Sequence, residues 1–274
     1  MAQVGRGPKA RDALAPLITI IGCDGAGKST LGAELTRRIN GARPARLCYL
    51  GLGSGDMGRK IKSFRLGGPL IEGYLSNSKK AAATRTRGKK IPGIGTALVV
   101  YGFSLLRLIR FKRMMALRRR GVTVVTDRYP QIEVAGFYDG PGLSAARPGN
   151  RLVAFLARQE RKMYERMAAV LPDVVIRLGI DAETAFARKP DHSIDQLRAK
   201  VAVTSALTIG GASSADADAR RPCAGVLETV SAVARQVGVT GAAGSRHGVP
   251  GARSLPAGHI RFACPRRCLA GCRV

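Results

Sequence analysis

Three short apolar runs along the chain have the composition of buried parallel strands, which are covered on both faces and rich in β-branched residues. The first run, LITII, covers 17–21, and the second, ARLCYLGLG, covers 45–53 and ends in a glycine-containing turn. The third lies in VTVVTDRYP at 122–130, where an acidic residue follows the apolar positions. Stretches with helical spacing separate the runs, so the pattern predicts an α/β domain.

Two of these intervening stretches predict well-defined helices. The first begins after Lys28, is expected to stop at Gly41, and carries its apolar residues four positions apart at Leu31, Leu35 and Ile39. A longer helix is predicted from 95 to 120, with Gly121 at its end. One stripe of the longer helix consists of Leu98, Tyr101, Leu105 and Leu108. We interpret this stripe as a core-packing face rather than a membrane anchor.

The segment IIGCDGAGKST at 20–30 joins the first strand to the first helix and contains the spacing G-x-x-x-x-G-K-[ST]. A loop of this type wraps its backbone N–H groups around phosphate oxygens at a helix N-terminus. Lys28 would reach the terminal phosphates of ATP, and the Ser29 hydroxyl would ligate Mg²⁺. The alternative is a chance glycine-rich turn. The residues expected to bind the nucleotide are Gly22, Asp24, Gly25, Ala26, Gly27, Lys28, Ser29 and Thr30.

The third apolar run delivers a carboxylate and a guanidinium to the end of a buried strand. Asp127 can hold magnesium directly or through its waters, and Arg128 can neutralise phosphate charge. A buried strand that delivers a carboxylate beside the phosphate loop is what a magnesium-dependent transferase needs. An ordinary strand end with an exposed ion pair is the alternative interpretation.

The chain is strongly basic, with 46 Lys and Arg against 18 Asp and Glu and a net charge of +28. Such a balance suits a protein that binds nucleic acid or an anionic membrane, but it also suits an enzyme that handles phosphates. The dense clusters at 78–90 and 107–120 have little aromatic interleaving and match no nucleic-acid motif. We therefore do not expect nucleic-acid binding.

Neither a membrane span nor a secretion signal is predicted. The most apolar stretch, at 94–106, is too short to cross a bilayer and is followed at once by arginines. The first sixteen residues lack the apolar core of a signal peptide. These features predict a cytoplasmic protein.

The motifs CDGAGKST and TDRYP together resemble those of the thymidylate kinase family of nucleoside monophosphate kinases. The resemblance covers about 16–200 and, weakly, a closing helix at 226–237. It implies that Asp24 contacts the sugar of the acceptor nucleotide and that Arg128 binds the acceptor's phosphate. It also implies that 171–189 holds the next strand and leads into an arginine-bearing lid.

The resemblance places the lid at about 186–200. Gly25 stands where some thymidylate kinases carry an arginine in the phosphate loop. A lid cation must then stabilise the charge on the transferred phosphoryl group. Ser193 and Gln196 form a capping-box pattern, so a helix should begin there. The candidate cations are Arg188, Lys189, Arg198 and Lys200, of which we select Arg188 and Arg198 as catalytic together with Lys28, Asp127 and Arg128. A solvated basic helix is the alternative.

The predicted fold is a three-layer P-loop NTPase domain at 16–237, with a parallel sheet of about five strands flanked by helices and ligands at the strands' C-terminal ends. The last strand is expected within 205–218, which is poor in β-branched residues. A basic insert is expected at about 54–93. The segments 1–15 and 238–274 are predicted to be disordered.

The most favoured function is ATP- and Mg²⁺-dependent phosphoryl transfer to a small acceptor, most closely a nucleoside monophosphate such as dTMP. After Pro130, however, the chain reads QIEVAGFYDGPGLSAARPGN, where thymidylate kinases usually show Ala-Tyr-Gln. A kinase of another small metabolite, for example in surface-polysaccharide metabolism, is therefore an alternative. A non-catalytic, nucleotide-dependent regulatory protein is another, and a homodimer is possible.

Overall fold

The computed structural model describes residues 14–51, 93–137, 139–145, 147–190 and 193–236, and five strands in these ranges form one sheet. Every neighbouring pair of strands is parallel, and the strand order is β2-β3-β1-β4-β5. The strands are β1 Leu17–Gly22, β2 Ala45–Tyr49, β3 Thr123–Asp127, β4 Val174–Gly179 and β5 Ser214–Asp218. The α/β fold predicted from the sequence is thus confirmed.

Helices cover both faces of this sheet. They are α1 Lys28–Asn40, α2 Ile94–Arg119, α3 Arg151–Ala168, α4 Ala182–Arg188, α5 Ile194–Ala206 and α6 Cys223–Gln236, with a short 3-10 turn at Leu143–Ala145. Ile18 and Ile20 of β1 share one apolar cluster with residues of α1 and α6. Leu17 and Ile21 point to the opposite face and join a cluster that includes residues of α2 and α3. Successive side chains of a strand alternate between faces, so a central strand between two helical layers is apolar throughout.

The sheet register brings the end of β3 beside the phosphate loop. Ile20 of β1 lies opposite Asp127 of β3, and the backbone N–H of Arg128 donates to the carbonyl of Ile20 at 3.2 Å. Since the loop begins at the end of β1, the acidic end of β3 lies next to it. Ligands of open parallel sheets bind at this edge, where neighbouring strands lead their helices to opposite faces.

The fifth strand forms although its sequence, SADAD, contains no β-branched residue. All five of its residues pair in parallel with β4, from Ser214 opposite Val175 to Asp218 opposite Gly179. β5 lies at the edge of the sheet and pairs with β4 alone. Its main-chain hydrogen bonds to β4 are sufficient to keep it extended without β-branched side chains. The predicted position of the strand is correct, and the strand is regular.

The predicted core stripe of α2 is wrong in part. Leu98 and Leu105 have 52% and 39% of their surface exposed, whereas Tyr101 and Leu108 pack against buried clusters. The inward face is instead made of Ala97, Val100, Phe103, Ser104, Arg107, Phe111, Met114, Met115 and Arg118. The helix has two apolar faces, and its inward face includes polar residues that apolar spacing does not reveal.

Helix α2 is also long and apolar enough to cross a membrane, judged by length and composition alone. The predicted apolar stretch at 94–106 is therefore only the first half of a continuous 26-residue helix. Phe111, Met114 and Met115 pack with Leu17 and Val124 of the sheet. These contacts make the C-terminal half of α2 part of the domain core.

Several predicted segments fall wholly or largely outside the described residues. They are the N-terminal segment up to residue 13, most of the basic insert, and the tail at 238–274. Ala15, which was predicted to be disordered, is buried, and its backbone N–H donates to the carbonyl of Arg118 at 3.1 Å. The described domain therefore begins slightly earlier than the sequence indicated.

Candidate active site

The phosphate loop has the backbone that its glycines allow. Gly25 and Gly27 have φ values of 86° and 81°, in the left-handed region that glycine adopts readily, and α1 begins at Lys28. A Cβ atom at position 25 would lie 2.8 Å from the carbonyl oxygen of Ala185 in α4. A loop arginine at this position is sterically excluded unless α4 moves, so a cation placed over bound phosphates would have to come from another segment.

Lys28 is buried under the loop. Its Nζ donates to the carbonyl oxygen of Cys23 at 2.7 Å. Burial, reinforced by the nearby charge of Arg128, lowers the pKa of the Lys28 ammonium, while Asp24 and Asp127 oppose this shift. Phosphate oxygens placed in the loop would add negative charge beside Nζ and favour its charged form.

Ser29 and Asp127 lie in direct contact beside the phosphate loop and together offer oxygen ligands for a magnesium ion. The Ser29 hydroxyl donates to Asp127 Oδ2 at 2.8 Å, and the Asp127 side chain is buried. Its other oxygen, Oδ1, is buried and has no hydrogen-bond partner within the described ranges. A hydroxyl and a carboxylate with unused acceptor capacity are the oxygen ligands that Mg²⁺ prefers, so these residues fit the ion. Elsewhere in the described part of the chain, no group of three or more His, Cys, Asp or Glu residues could hold a metal.

Asp24 forms ion pairs with two cations from different segments of the chain. It accepts a hydrogen bond from Arg128 at 3.1 Å and another from Nζ of Lys200 in α5. Burial alone would raise the pKa of the Asp24 carboxyl, but the charges of Arg128 and Lys200 together hold it well below its usual range. The end of β3 and helix α5 therefore meet at the phosphate loop.

Arg128 is held on its other side by Asp139. Their charged groups approach to 3.5 Å, from Arg128 Nη1 to Asp139 Oδ2. Both residues have left-handed backbones, with φ of 74° and 67°. Such a conformation is uncommon for residues other than glycine and persists only when surrounding contacts enforce it. The two acids, Asp24 and Asp139, fix the direction of the Arg128 guanidinium.

Arg107 extends this network into the interior. Its fully buried guanidinium pairs with the Asp139 carboxylate, donates to the Asp139 carbonyl at 2.7 Å and donates to the Tyr164 hydroxyl at 3.0 Å. The guanidinium carbon also lies 5.6 Å from the centre of the Tyr164 ring. Arg107 thus anchors both the backbone and the carboxylate of Asp139.

Glu160 of α3 anchors the rest of the same loop. Its carboxylate accepts from the backbone N–H of Leu143 at 2.7 Å, from that of Gly142 at 3.2 Å, and from the Ser104 hydroxyl at 2.6 Å. Burial raises the pKa of this carboxyl, although the same hydrogen bonds oppose the shift. Together, α2 and α3 hold the 139–145 segment in one position.

With this geometry established, two relatives from Escherichia coli strain K12 are informative. The chain is 41% identical over 213 residues to a protein described as "Uncharacterized ATP-binding protein YghR", covering 77% of this chain and 84% of that protein. It is 43% identical over 213 residues to "Uncharacterized ATP-binding protein YghS", covering 77% of this chain and 89% of that protein. The chain belongs to the YghR/YghS family. No protein-family model matches it.

In this YghR/YghS-family chain, three of the four candidate lid cations, namely Arg188, Arg198 and Lys200, have different surroundings. Arg188, at the end of α4, donates to the carbonyl of Ala219 at 2.9 Å and lies 3.5 Å from that of Gly25. Arg198 pairs instead with Glu183 at 3.0 Å and with Asp195 at 3.6 Å, so its charge is already matched by carboxylates outside the phosphate loop. Lys200 is the lid cation that reaches Asp24.

The helix predicted to begin at Ser193 is present as α5, with a different capping arrangement. Ser193 is the N-cap of α5, as the capping-box pattern indicated, but its side chain makes no capping hydrogen bond. Position 200 lies on the side of α5 that faces the loop, and position 198 lies two residues away. Residues two apart on a helix point in different directions, which explains why only one of them reaches Asp24.

The sequence motifs predict a site at the loop residues, Asp127 and Arg128, but they do not indicate the buried anchors Asp139, Arg107 and Glu160. In the sequence, Asp139 lies in DGPG, which is typical of a plain turn, and neither Arg107 nor Glu160 belongs to a motif. One signal was available: charged residues occur at positions where the helical pattern of α2 and α3 faces inward. Buried charges are rare unless paired, so such positions point to a network.

Proposed function

We propose that the protein binds ATP with Mg²⁺ and transfers its γ-phosphoryl group to a small acceptor that carries a phosphate, most closely a nucleoside monophosphate of the dTMP type. The observation that carries this proposal is the convergence of Arg128 and Lys200 on Asp24 at the phosphate loop. The description of YghR and YghS as ATP-binding proteins supports the donor half.

The donor half rests on the loop and on Lys28. Loop N–H groups at the start of α1 would surround the β- and γ-phosphates, and Lys28 would exchange its bond to the Cys23 carbonyl for phosphate oxygens. Ser29 and Asp127 would hold Mg²⁺, which when bound neutralises charge on the β- and γ-phosphates. Arg188, between Gly25 and Ala219, keeps the loop against the segment that follows β5.

The acceptor half rests on Arg128. Its guanidinium is oriented by Asp24 and Asp139 at the same edge of the sheet as the phosphate loop. A fork of N–H donors held in this way can bind a phosphate with two parallel hydrogen bonds. The acceptor's phosphate would replace the Asp24 carboxylate as a partner of Arg128 and free Asp24 to bind an acceptor hydroxyl.

Lys200 supplies the remaining charge. Transfer places negative charge on the equatorial oxygens of the γ-phosphoryl group, and cations fixed around them lower the barrier. Lys28 approaches from the loop and Lys200 from the lid. A protein that only switched shape on binding ATP would need neither an oriented acceptor arginine nor a lid cation, so these two groups favour the kinase over the regulatory alternative.

The proposal is tested by measuring ADP release from MgATP in the presence of candidate acceptors. The panel contains dTMP, the other nucleoside monophosphates, thymidine without phosphate, sugar phosphates and free sugars. We expect turnover with a nucleoside monophosphate and none with thymidine. Turnover only with a sugar or sugar phosphate would favour the metabolite-kinase alternative, and ATP binding without turnover on any acceptor would favour the regulatory one.

Lys28→Ala is the variant that validates this assay, and Arg37→Ala is its matched control on the exposed side of α1. Removing the transition-state cation should reduce turnover by roughly a hundredfold or more, while the control should retain it. Full activity in Lys28→Ala would contradict the placement of ATP in this loop.

A further inference from the structure

The connection between α5 and β5, residues 207–213, has an unusual backbone. Ile209, Gly210 and Gly211 have φ values of 49°, 67° and 79°, so three consecutive residues lie in the left-handed region. A β-branched residue in this region is a genuine outlier, and Ile209 is also buried. Such a conformation persists only where surrounding contacts enforce it. A contact from another segment is therefore needed to hold the connection in place.

Glu133 provides this contact. Its carboxylate accepts hydrogen bonds from the backbone N–H of Thr208 at 2.8 Å, from that of Gly210 at 2.9 Å, and from the Thr208 hydroxyl at 2.9 Å. Burial alone would raise the pKa of the Glu133 carboxyl, but these hydrogen bonds hold it below its usual value. Successive N–H groups in a turn form a concavity that binds anions. Here the bound anion is a carboxylate of the same chain.

The carboxylate comes from the segment that carries Arg128. Glu133 follows Arg128 by five positions, and the residues between them include the buried Tyr129 and Gln131. The Gln131 amide donates to two backbone carbonyls of the segment at 2.9 and 2.8 Å, which fixes the course of the chain. Glu133 therefore joins the segment of the proposed acceptor arginine directly to the end of α5.

Helix α5 is packed loosely against the sheet. Of its thirteen residues, Leu197 and Thr204 are buried. A cavity of about 270 Å³ lies between α5 and the ends of β4 and β5, and Val201 and Thr204 line it on the helix side. Atoms that line such a space lack the packing contacts that would otherwise fix their position. Polar contacts at the end of the helix therefore contribute to placing α5.

Two side chains make such contacts at the C-terminal end of α5. Arg177 of β4 donates to the carbonyls of Ser205 and Leu207 at 3.2 and 3.3 Å, and Glu133 binds the residues that follow. Lys200 lies six residues before the last residue of α5, roughly 9 Å along the helix axis. Since a helix of this length moves as a unit, a shift of its C-terminal end displaces the Lys200 side chain as well.

We infer that Glu133 is a positioning residue that sets the place of Lys200 relative to Arg128. It links the two cations through the α5–β5 connection, so the acceptor arginine and the lid cation share one frame. The inference rests on the proposed phosphoryl transfer, in which Lys200 stabilises the charge of the transferred group. A carboxylate that merely stabilised its own loop would leave Lys200 unaffected, and this difference can be measured.

A double-mutant cycle of Glu133→Ala and Lys200→Ala tests the link in single-turnover transfer from MgATP. Glu133→Ala should slow transfer by about 10- to 100-fold, the cost of misplacing a charged group by roughly 1 Å, with the affinities for ATP and acceptor near those of the unaltered protein. In the Lys200→Ala background the same change should have almost no further effect. Glu228→Ala, at another exposed glutamate, is the matched control. Equal losses in both backgrounds, or no loss in either, would overturn the inference.

Lysine labelling tests the same link without a nucleotide. Acetic anhydride reacts more slowly with amines that are held in ion pairs, and mass spectrometry gives the rate at each lysine. In Glu133→Ala, labelling of Lys200 should rise by about two- to fivefold, the factor expected on release from a partly exposed ion pair. Labelling of the exposed Lys162 in α3 should not change. An unchanged rate at Lys200 would contradict the positioning role.

Failure of this inference can be told apart from failure of the proposed function. If no acceptor supports turnover in the unaltered chain, the phosphoryl transfer is contradicted, and the labelling result alone decides whether Glu133 positions Lys200. Because Glu133 is exposed, Glu133→Ala leaves no cavity in the core, and circular dichroism melting checks its fold. Glu133→Gln keeps one acceptor oxygen, and it takes the place of Glu133→Ala in both tests if the alanine variant unfolds.

Discussion

Arg128 donates a hydrogen bond to Asp24 at 3.1 Å and thereby joins the end of β3 to the phosphate loop. The two residues are 104 positions apart in sequence, and the register of β1 and β3 brings them together. The carboxylate stands where the acceptor's phosphate would arrive in the proposed reaction. Arg128 is thus oriented before any ligand binds, which lowers the cost of ordering it.

Arg128→Ala is expected to impair the acceptor side of the site alone. A charge-assisted contact of this kind is worth roughly 1.5–3 kcal/mol, so kcat/KM for the acceptor should fall by about 10- to 100-fold. The affinity for ATP should stay near that of the unaltered protein. Steady-state kinetics with each substrate varied in turn, together with calorimetric titration of ATP, measures the two effects. A variant that lost ATP binding and kept a normal acceptor KM would move Arg128 to the donor side.

Lys200 and Arg198 provide a matched pair on one helix. Lys200→Ala removes the cation that reaches Asp24, and we expect kcat to fall by about 10²-fold or more with a smaller change in KM. Arg198→Ala removes a side chain whose partners are Glu183 and Asp195, and we expect less than about a twofold change.

The pair is compared in single-turnover experiments, which isolate the chemical step from product release. If Arg198→Ala were the slower variant, the lid would rearrange on binding ATP, and the original selection of Arg198 from the sequence would be favoured. Equal, small effects of both changes would remove the lid cation from the proposed mechanism.

The contrast between Lys200 and Arg198 shows which parts of the site can be predicted from the sequence and which cannot. Lys28, Ser29 and Asp127 were identifiable because a short motif and a strand end fix their positions locally. Lys200 was only one of four lid candidates, because the choice among them depends on the rotation of α5 relative to the loop. That rotation is set by packing between distant segments, and no local spacing encodes it.

The acceptor side was harder to predict for the same reason. Asp139 lies in a segment that reads as a turn, and its role follows from Arg107 in α2, 32 positions earlier. The helical pattern of α2 places a charge at an inward-facing position, but nothing in the loop sequence marks Asp139 as its partner. The exposed stripe of α2 was likewise indistinguishable from a core face, since an apolar side chain looks the same in sequence whether the protein's own core or another surface covers it.

Asp139 is expected to support both stability and acceptor binding. Asp139→Asn leaves the buried Arg107 without its counter-charge, and the free energy of unfolding should fall by about 3 kcal/mol. Adding Arg107→Met removes the orphaned charge and should restore much of that loss. The acceptor KM should remain raised in the double variant, because Arg128 still lacks the Asp139 charge.

Urea unfolding and acceptor kinetics on the two single variants and the double variant complete this cycle. Recovery of stability without recovery of KM is the expected result, and it separates the structural role of the pair from its positioning of Arg128. Recovery of both would mean that Asp139 serves only the fold.

Asp24 makes the stability of the protein depend on pH. Its pKa is held well below the usual range, because the charges of Arg128 and Lys200 outweigh the effect of burial. A carboxyl whose pKa is lower in the folded state stabilises the fold fully at pH values above its unfolded pKa of about 3.9, and this stabilisation is lost as the pH falls further. We therefore expect Asp24→Asn to lower the free energy of unfolding by more than about 1 kcal/mol at pH 7.

This deficit should be constant between about pH 7 and pH 5 and should shrink as the pH falls below about 4, because the unaltered protein then loses the same stabilisation. Urea unfolding of both proteins across this range measures the difference. Asp216→Asn is the control: it removes an acid whose side chain is 79% exposed, and its effect should be small at every pH. A deficit for Asp24→Asn that stayed constant down to pH 3, or that grew on acidification, would show that Asp24 is not held ionised by Arg128 and Lys200.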